Sequence, residues 1–345
     1  MKIRVGILTA PKIDYEQRAN SFVLHGVRIG IGFHWDRYEE QEFEGELEIT
    51  SNADGTQTAV NIIDIEDYLT SVISSEMSAN SPIELLKAHT VIARSWLLRA
   101  IGNTDHVGYD VCADDHCQRY EGIRRRNQRA IDAVRATEGE VLTSDIKEAD
   151  GTKKTVICDT RYHKCCGGRT ELFDTCWDST EPHPYLKSVE DPFCNTSDRQ
   201  VLQQILNDYD LETMDFHDWT VQYTAEQLSG IIRQKSGIDF GQIIDLVPLK
   251  RGESGRICEL EIIGTKQRMT IGKELTIRRW LSETHLYSSN FQIVKSSNPT
   301  FFRFVGHGWG HGVGLCQIGA AVMASEGYNY RQILDYYFPN TIIKK

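Results

Sequence analysis

Residues Ile62 to Leu98 read IIDIEDYLTSVISSEMSANSPIELLKAHTVIARSWLL, two helix-like runs that meet at a short polar turn. In the first run Ile65, Leu69, Val72 and Ile73 recur at helical spacing, which predicts one apolar face of an amphipathic helix. The second opens with Ser81-Pro82-Ile83-Glu84. Ser81 can cap, Pro82 gives up no needed N–H at the first helical position, and Glu84 can close a capping box. Its apolar face continues through Leu85, Ile92, Ala93, Trp96 and Leu97, and Gly102 ends it. A single carboxylate, Glu76, stands at the junction. A helix C-terminus and partial burial both disfavour an ionised carboxylate, and a general acid working near neutral pH needs such a shift. From this stretch alone the expectation is a solvated surface glutamate, because Glu is seldom buried.

Outward from this pair the chain is mixed. Residues 1–60 read as β: Lys2 to Leu8 and Glu44 to Thr50 alternate apolar and polar, and Asn52-Ala53-Asp54-Gly55 signals a turn. A loop over 103–123 follows, then a helix from Gln128 to Thr137 and a strand from Glu140. Between Thr155 and Phe173 a strand enters a Cys165-Cys166-Gly167-Gly168 corner and a short strand leaves it. Ala225 to Lys235 reads as a helix, and Ile243–Pro248, Ile257–Ile263 and Arg268–Ile271 as strands, with a hairpin turn at Arg251–Arg256. The fold class is α+β: a mixed, β-rich core, a helical pair carrying the Glu76 turn, and a C-terminal glycine-rich loop followed by helices. Residues 1–60 are expected to pack on a main unit of 61–345 that contains a β-rich insertion around 190–290.

The 345 residues are 40% apolar and 25% charged, the composition of a globular protein. With a net charge of −11 and no basic run longer than Arg124-Arg125-Arg126, neither nucleic acid nor an anionic membrane surface is an expected partner. No stretch reaches the apolar length of a membrane span. Met1 to Leu8 is strand-like and too short for a signal peptide, so the chain is either cytoplasmic or separated from its targeting segment. The 9 cysteines crowd the middle, at 112, 117, 158, 165, 166, 176 and 194, with Cys258 and Cys316 apart. An odd count excludes complete internal pairing and leaves metal binding, some disulfides or a mixture.

Three constellations can carry chemistry. His106, Cys112, His116 and Cys117 supply two imidazoles and two thiols, the donors tetrahedral zinc prefers, although not at zinc-finger spacing. Asp110, Asp114, Asp115 and Gln118 add polar contacts around them, and Gln118 and Tyr120 are candidate substrate contacts. Cys158, His163, Cys165 and Cys166 allow a soft-metal cluster, a disulfide corner or a Cys–His nucleophile. A structural turn without metal is the favoured expectation, since nothing marks an activated thiolate. The third is Gly306-His307-Gly308-Trp309-Gly310-His311-Gly312-Val313-Gly314-Leu315-Cys316-Gln317. It lacks the Lys-Ser/Thr end of a phosphate loop. His307, His311 and Gln317 can instead bind sugar hydroxyls while Trp309 stacks on a pyranose. His89, at helical spacing with Leu85, Ile92 and Trp96, reads as a satisfied core histidine. Arg94 is expected on the other face, where its guanidinium would suit an anionic substrate.

Taken together, SSEMSANSPIELLKAHTVIARSWLL, DVCADDHCQRYEG, YHKCCGGRTE, PYLKSVEDP and GHGWGHGVGLCQIGAAVMASEGYNYRQILDYYFPNT resemble, in order, the family of stage II sporulation protein D and the LytB amidase enhancers. The resemblance spans most of residues 60–345. It implies an extracytoplasmic protein of the cell envelope acting on peptidoglycan, with glycan strands and a cell-wall amidase as partners. Sporulation members are similar to lytic transglycosylases, which cleave the MurNAc-β-1,4-GlcNAc bond without water and leave 1,6-anhydro-MurNAc ends. The family's catalytic glutamate falls on Glu76, and its zinc ligands on His106, Cys112, His116 and Cys117. The zinc is structural if all four donors bind and catalytic if one position opens to water. LytB-type members imply the alternative, a non-catalytic module that enhances an amidase. The chain departs from the family pattern at His89, where Gln is common, at Cys316, where Ser is common, and in a shorter zinc loop.

Overall fold

The computed structural model describes residues 1–31, 36–78, 80–103, 106–114, 116–147, 151–206, 216–297 and 300–345. The chain opens with strands β1 (Lys2–Ala10), β2 (Tyr15–Gln17), β3 (Ser21–Ile29), β4 (Arg37–Glu44), β5 (Glu46–Ser51) and β6 (Gln57–Asp64). Helices α1 (Ile65–Glu76) and α2 (Ile83–Ala100) follow, then β7 (Val111–Cys112) and α3 (Gln128–Ala136). The middle holds β8 (Val141–Lys147), β9 (Lys153–Ile157), β10 (Tyr162–His163), α4 (Phe173–Cys176) and α5 (Arg199–Ile205). Next come β11 (Asp218–Thr224), α6 (Ala225–Ser236), β12 (Ile243–Arg251), β13 (Ile257–Gly264), β14 (Arg268–Ile271), α7 (Glu274–Trp280), β15 (Phe291–Ser297) and β16 (Thr300–His307). The chain closes with β17 (Leu315–Cys316), α8 (Gln317–Ser325), α9 (Tyr330–Tyr337) and β18 (Ile342–Lys344). This is a strand-rich α+β fold built on several small sheets, in the orders β5-β6-β1-β7, β2-β3-β4, β18-β8-β9, β10-β17, β11-β16-β15 and β12-β13-β14.

Two hydrophobic clusters organise these sheets. The larger joins Ile3, Val5, Phe22 and Phe43 of the first strands to Leu69 and Val72 of α1, Leu85 and Ile92 of α2, and Ile333 and Tyr337 of α9. The N-terminal strands therefore share the core of the helical pair. The second cluster runs from Trp219 to Phe304 and fills the space between the β11-β16-β15 and β12-β13-β14 sheets under α6 and α7. Residues 190–206 pack in the first cluster through Cys194, Leu202, Ile205 and Leu206, so the second core begins later than the expected insertion.

The helical pair differs from its sequence pattern in one physical respect. Both helices are buried nearly all round: α1 hides Thr70, Ser71, Ser74 and Ser75, and α2 hides His89, Thr90, Arg94 and Ser95. The hydroxyls make this tolerable by bonding carbonyls one turn back, as Ser74 does to Thr70 O and Thr90 to Leu86 O. Asp64 caps α1 by accepting the Glu66 N–H. The capping box expected at Ser81 does not form. Ser81 Oγ donates to Gln204 O, while Glu84 pairs with Lys87 and accepts the Tyr330 N–H. Tertiary partners outbid the local cap at both positions.

Candidate active site and metal centre

Glu76 is the last residue of α1 and is half-buried. Its Oε1 accepts two hydrogen bonds, from the Tyr162 hydroxyl at 2.9 Å and the Arg119 backbone N–H at 3.2 Å. Tyr162 comes from β10, the strand that enters the Cys/Gly corner, and Arg119 from the loop that carries the His/Cys donors. Behind Tyr162 lies His89 of α2, its ring centroid 4.4 Å from the tyrosine ring in an edge contact. Burial pushes the His89 pKa down to about 3, with Lys164 adding to the effect, so the ring is neutral near pH 7. Its Nε2 lies 3.1 Å from the Gln317 amide nitrogen, at the first position of α8. A packed relay thus joins the C-terminal helix to Glu76.

The strand pairing that makes this possible is short and parallel: Tyr162 pairs with Leu315 and His163 with Cys316. Gly314 feeds β17 with φ at +74°, and a Cβ there would stand 2.1 Å from Arg161 O. A side chain at this position would separate β17 from β10.

His106, Cys112, His116 and Cys117 converge as their spacing suggested. Their donor atoms all lie within 4.8 Å of one another. His106 Nε2 is 3.2 Å and His116 Nδ1 3.7 Å from Cys117 Sγ. Hydrogen bonding with Cys117 holds the Cys112 thiol down to about 4 and drives Cys117 up in turn, so the pair shares one proton. Asp115 lies outside the described residues. A cavity of about 450 Å³ adjoins this loop, lined by Val27, Ile29, Tyr109, His106, His116 and Tyr120 among others, and its lining does not include Glu76.

The other expected substrate contacts are placed differently. Arg94 is 1% exposed and grips both Glu66 oxygens and Glu140 O. Glu66 is in the first turn of α1 and Glu76 at its end, about 15 Å apart at the helical rise. Gln118 is buried between Ala93 O and the Tyr68 hydroxyl, and the Tyr120 hydroxyl donates to Asn61 Oδ1 at 2.6 Å. Gln317 is 2% exposed and spent on His89. These four are interior supports, because each polar group is consumed by a buried partner.

The glycine-rich loop does not present one wall either. His307 is half-exposed and bonds Asp218 Oδ1 at 2.6 Å on the edge of β11. Trp309 packs on Tyr287, with ring centroids 5.3 Å apart. His311 turns inward against Trp177 and His163, and its Nδ1 accepts the Val313 N–H. Burial first, then His163 and the neighbouring arginines, hold His311 well below the ordinary histidine value. Cys158 and His163 do not join Cys165 and Cys166 in a donor group. The group that gathers there among the described residues is Cys166, Asp191, Cys194 and Cys316.

Sequence reading passed over Tyr162, although it begins the Cys/Gly segment. It also missed the Arg161 guanidinium, which sits 4.7 Å from the Trp177 ring centroid and pairs with Asp159 at 2.7 Å. No local pattern predicts that stack.

Comparison with known proteins finds similarity along most of the chain. Residues 171–314 match a family described as Domain of unknown function (DUF8618). An uncharacterized protein of Brachyspira hyodysenteriae is 28% identical over 285 residues, 82% of this chain and 67% of the relative. The stage II sporulation protein D of Bacillus subtilis is 24% identical over 302 residues, 83% of this chain and 76% of the relative. The amidase enhancer of Bacillus subtilis is 26% identical over 306 residues, 80% of this chain but 40% of the relative. No helix among the described residues is long and apolar enough to cross a membrane. Residues 53–144, which carry Glu76, the helical pair and the His/Cys loop, match the family described as Stage II sporulation protein, and along most of its length the chain is similar to stage II sporulation protein D and to the amidase enhancer.

Proposed function

We propose that this chain is a peptidoglycan lytic transglycosylase that cleaves MurNAc-β-1,4-GlcNAc strands, stripped of stem peptides, with Glu76 as its single general acid and base. The observation that carries the reading is the mounting of Glu76: a half-buried carboxyl at a helix end, its Oε1 fixed by Tyr162 and the Arg119 N–H. The proton-transferring atom is then Oε2. Protonated Glu76 donates to the leaving glycosidic oxygen, and its carboxylate next takes the proton of the MurNAc C6 hydroxyl as that oxygen closes on C1. Glycosidases usually need two carboxylates flanking the bond. Here the neighbouring acid, Glu121, is 3% exposed and held by Arg125 at 2.7 Å, so it is poorly placed as a nucleophile. One carboxyl suffices when the substrate supplies its own hydroxyl.

His106, Cys112, His116 and Cys117 would hold zinc. Edges between N and S donors of a tetrahedral site are about 3.5 Å at ordinary Zn–S and Zn–N lengths. The 3.2 and 3.7 Å separations at Cys117 Sγ agree with that. With four protein donors the ion would be structural, and it would fix the loop two residues before Arg119. The substrate places the protein outside the cytoplasm, in the cell envelope.

The test is incubation of the chain and of Glu76→Gln with stem-stripped glycan strands, products read by mass. Anhydro-MurNAc ends from the first and none from the second are expected. Equal cleavage by Glu76→Gln, or no cleavage by either, refutes the assignment. A second reading follows from the 80% of this chain that aligns with an amidase enhancer. A non-catalytic module of that kind would bind glycan or a cell-wall amidase and stimulate it equally well as Glu76→Gln.

A further inference from the structure

The Cys165-Cys166-Gly167-Gly168 corner meets two distant segments at a site apart from Glu76 and from the His/Cys loop. Donor atoms of Cys166, Asp191, Cys194 and Cys316 all lie within 4.8 Å of one another, and all four residues are buried. Cys166 Sγ is 3.4 Å from Cys194 Sγ and 3.2 Å from Asp191 Oδ2. Cys316 comes from the N-cap of α8 and Cys194 from the loop after the Pro184–Pro192 stretch. Three elements that are remote in sequence therefore deliver three thiols and a carboxylate to one point.

The surroundings suit sulfur that carries charge. Backbone N–H groups point at the thiols: Gly168 to Cys194 Sγ at 3.1 Å, Cys166 to Cys316 Sγ at 3.3 Å, and Gly319 to Cys316 Sγ at 3.5 Å. A neutral thiol is a weak acceptor, whereas a thiolate rewards such donors, and the start of α8 adds its own positive end. Asp191 is oriented from behind: Oδ1 accepts the Phe193 and Cys194 N–H groups at 3.1 Å each, and Oδ2 the Tyr337 hydroxyl at 2.9 Å. His217 lies beside Cys194, with its Nδ1 at 2.7 Å from Asp218 Oδ2. Such outer contacts are what orient metal ligands.

We propose that Cys166, Cys194, Cys316 and Asp191 form a second metal site, a closed one, for a thiophilic divalent ion of the zinc type. Sulfurs bound to one tetrahedral zinc stand about 3.8 Å apart, and carboxylate oxygen completes such sets. A polynuclear iron–sulfur cluster spreads its thiolates over several irons, for which donors packed within 4.8 Å leave no room. On binding, each ligating thiol gives its proton to solvent, and no oxidation occurs. The ion would tie the Cys/Gly corner that follows β10, the strand carrying Tyr162, to the start of α8, which carries Gln317. It is a staple for the relay behind Glu76 rather than a participant in the reaction.

The test uses the full chain and its Cys112→Ser/Cys117→Ser form, in which the loop thiols are gone. Both are purified reduced, reconstituted with zinc or cobalt(II), passed through a desalting column and analysed for metal. The double variant is expected to retain one ion per chain, with a cobalt–thiolate charge-transfer band, and to lose both when Cys194→Ala is added. In the unmutated chain, a cobalt charge-transfer band from five thiolates, three here and two in the loop, provides a readout that needs no variant to fold. Only trace metal and no thiolate band in a double variant whose far- and near-UV circular dichroism match the unmutated chain overturns the proposal. So does a band in the unmutated chain no stronger than two thiolates give, or a disulfide between Cys166 and Cys194 found by peptide mapping of chain purified without reductant. None of these readouts depends on glycan cleavage.

Discussion

Replacing Arg94 by Met separates a substrate contact from a fold staple. The side chain is 2% exposed and its partner Glu66 25% exposed. Its guanidinium makes a forked pair with Glu66, at 3.0 and 2.6 Å, and a third bond to Glu140 O at 3.0 Å. Methionine keeps the length of the stem and so opens little cavity. What is lost is the charge pairing. Removing one partner of a fully buried pair costs about 3–5 kcal/mol. Glu66 is partly hydrated, which places Arg94→Met near the lower end, about 3 kcal/mol. For a cooperative unit of 150–250 residues that corresponds to roughly 6–12 °C in Tm. Thermal unfolding followed by circular dichroism measures the shift, and binding of glycan strands well below both transitions measures the alternative role. The expected result is a lowered Tm with binding changed less than about twofold. A wild-type Tm with abolished binding would refute the structural role and return Arg94 to the substrate.

Two further outcomes follow from the relay behind Glu76. His89 has a pKa of about 3 in the fold, so an unfolded chain, near 6.5, binds the extra proton between those values. Its contribution is whole above pH 6.5 and is lost as pH falls, by about 1.4 kcal/mol per unit. Tm measured from pH 7 down to 4.5 should therefore fall less steeply in His89→Gln, and parallel curves for the two chains would refute the neutral, buried histidine. Tyr162→Phe keeps the ring against His89 but removes the 2.9 Å bond to Glu76. Loss of a hydrogen bond to a charged group is worth about 1.5–3 kcal/mol, hence a roughly 10–100-fold fall in kcat with Tm nearly unchanged. Full turnover by Tyr162→Phe would detach Tyr162 from the chemistry.

The helical pair, α3, α6 and the strands β1, β5 and β12 to β14 were legible because their signals are local, whereas β2, β3, β11, β15, β16, α5 and α7 were not read. Arg268–Ile271 coincides with β14, and Ala225–Lys235 falls within α6. The convergence of His106, Cys112, His116 and Cys117 was legible too, since twelve residues of loop hold all four donors. What the sequence concealed is which polar groups the interior consumes. Arg94, Gln118, Tyr120 and Gln317 each sit within a motif, and a motif does not distinguish a ligand contact from a buried support. Arg94 follows the helical face it was assigned, but that face packs on α1 and the start of β8, so exposure could not be inferred from period alone. The Cys166–Cys194–Cys316 gathering was illegible for a different reason. Its members are up to 150 residues apart, and no periodicity encodes the parallel β10–β17 pairing that unites them.

Glu76 is supported from two sides by elements with little regular structure of their own. Arg119 belongs to a loop whose strand pairing with β1 is the two-residue β7, and Tyr162 to a two-residue strand. Short strands of this kind gain too few ladder bonds to fix a side chain to the precision proton transfer needs. Each is instead bordered by a convergent set of thiol and imidazole or carboxylate donors. The buried Arg256 adds a third tie on the Tyr162 side, bonding Cys166 O and Gly310 O from across the second core. Metal coordination by these donor sets would supply the rigidity that sheet length does not, beside the two groups from which Oε1 of Glu76 takes its hydrogen bonds. With both proposed sites loaded, the cysteines would help to aim one carboxyl, the loop site through Arg119 and the corner site through Tyr162.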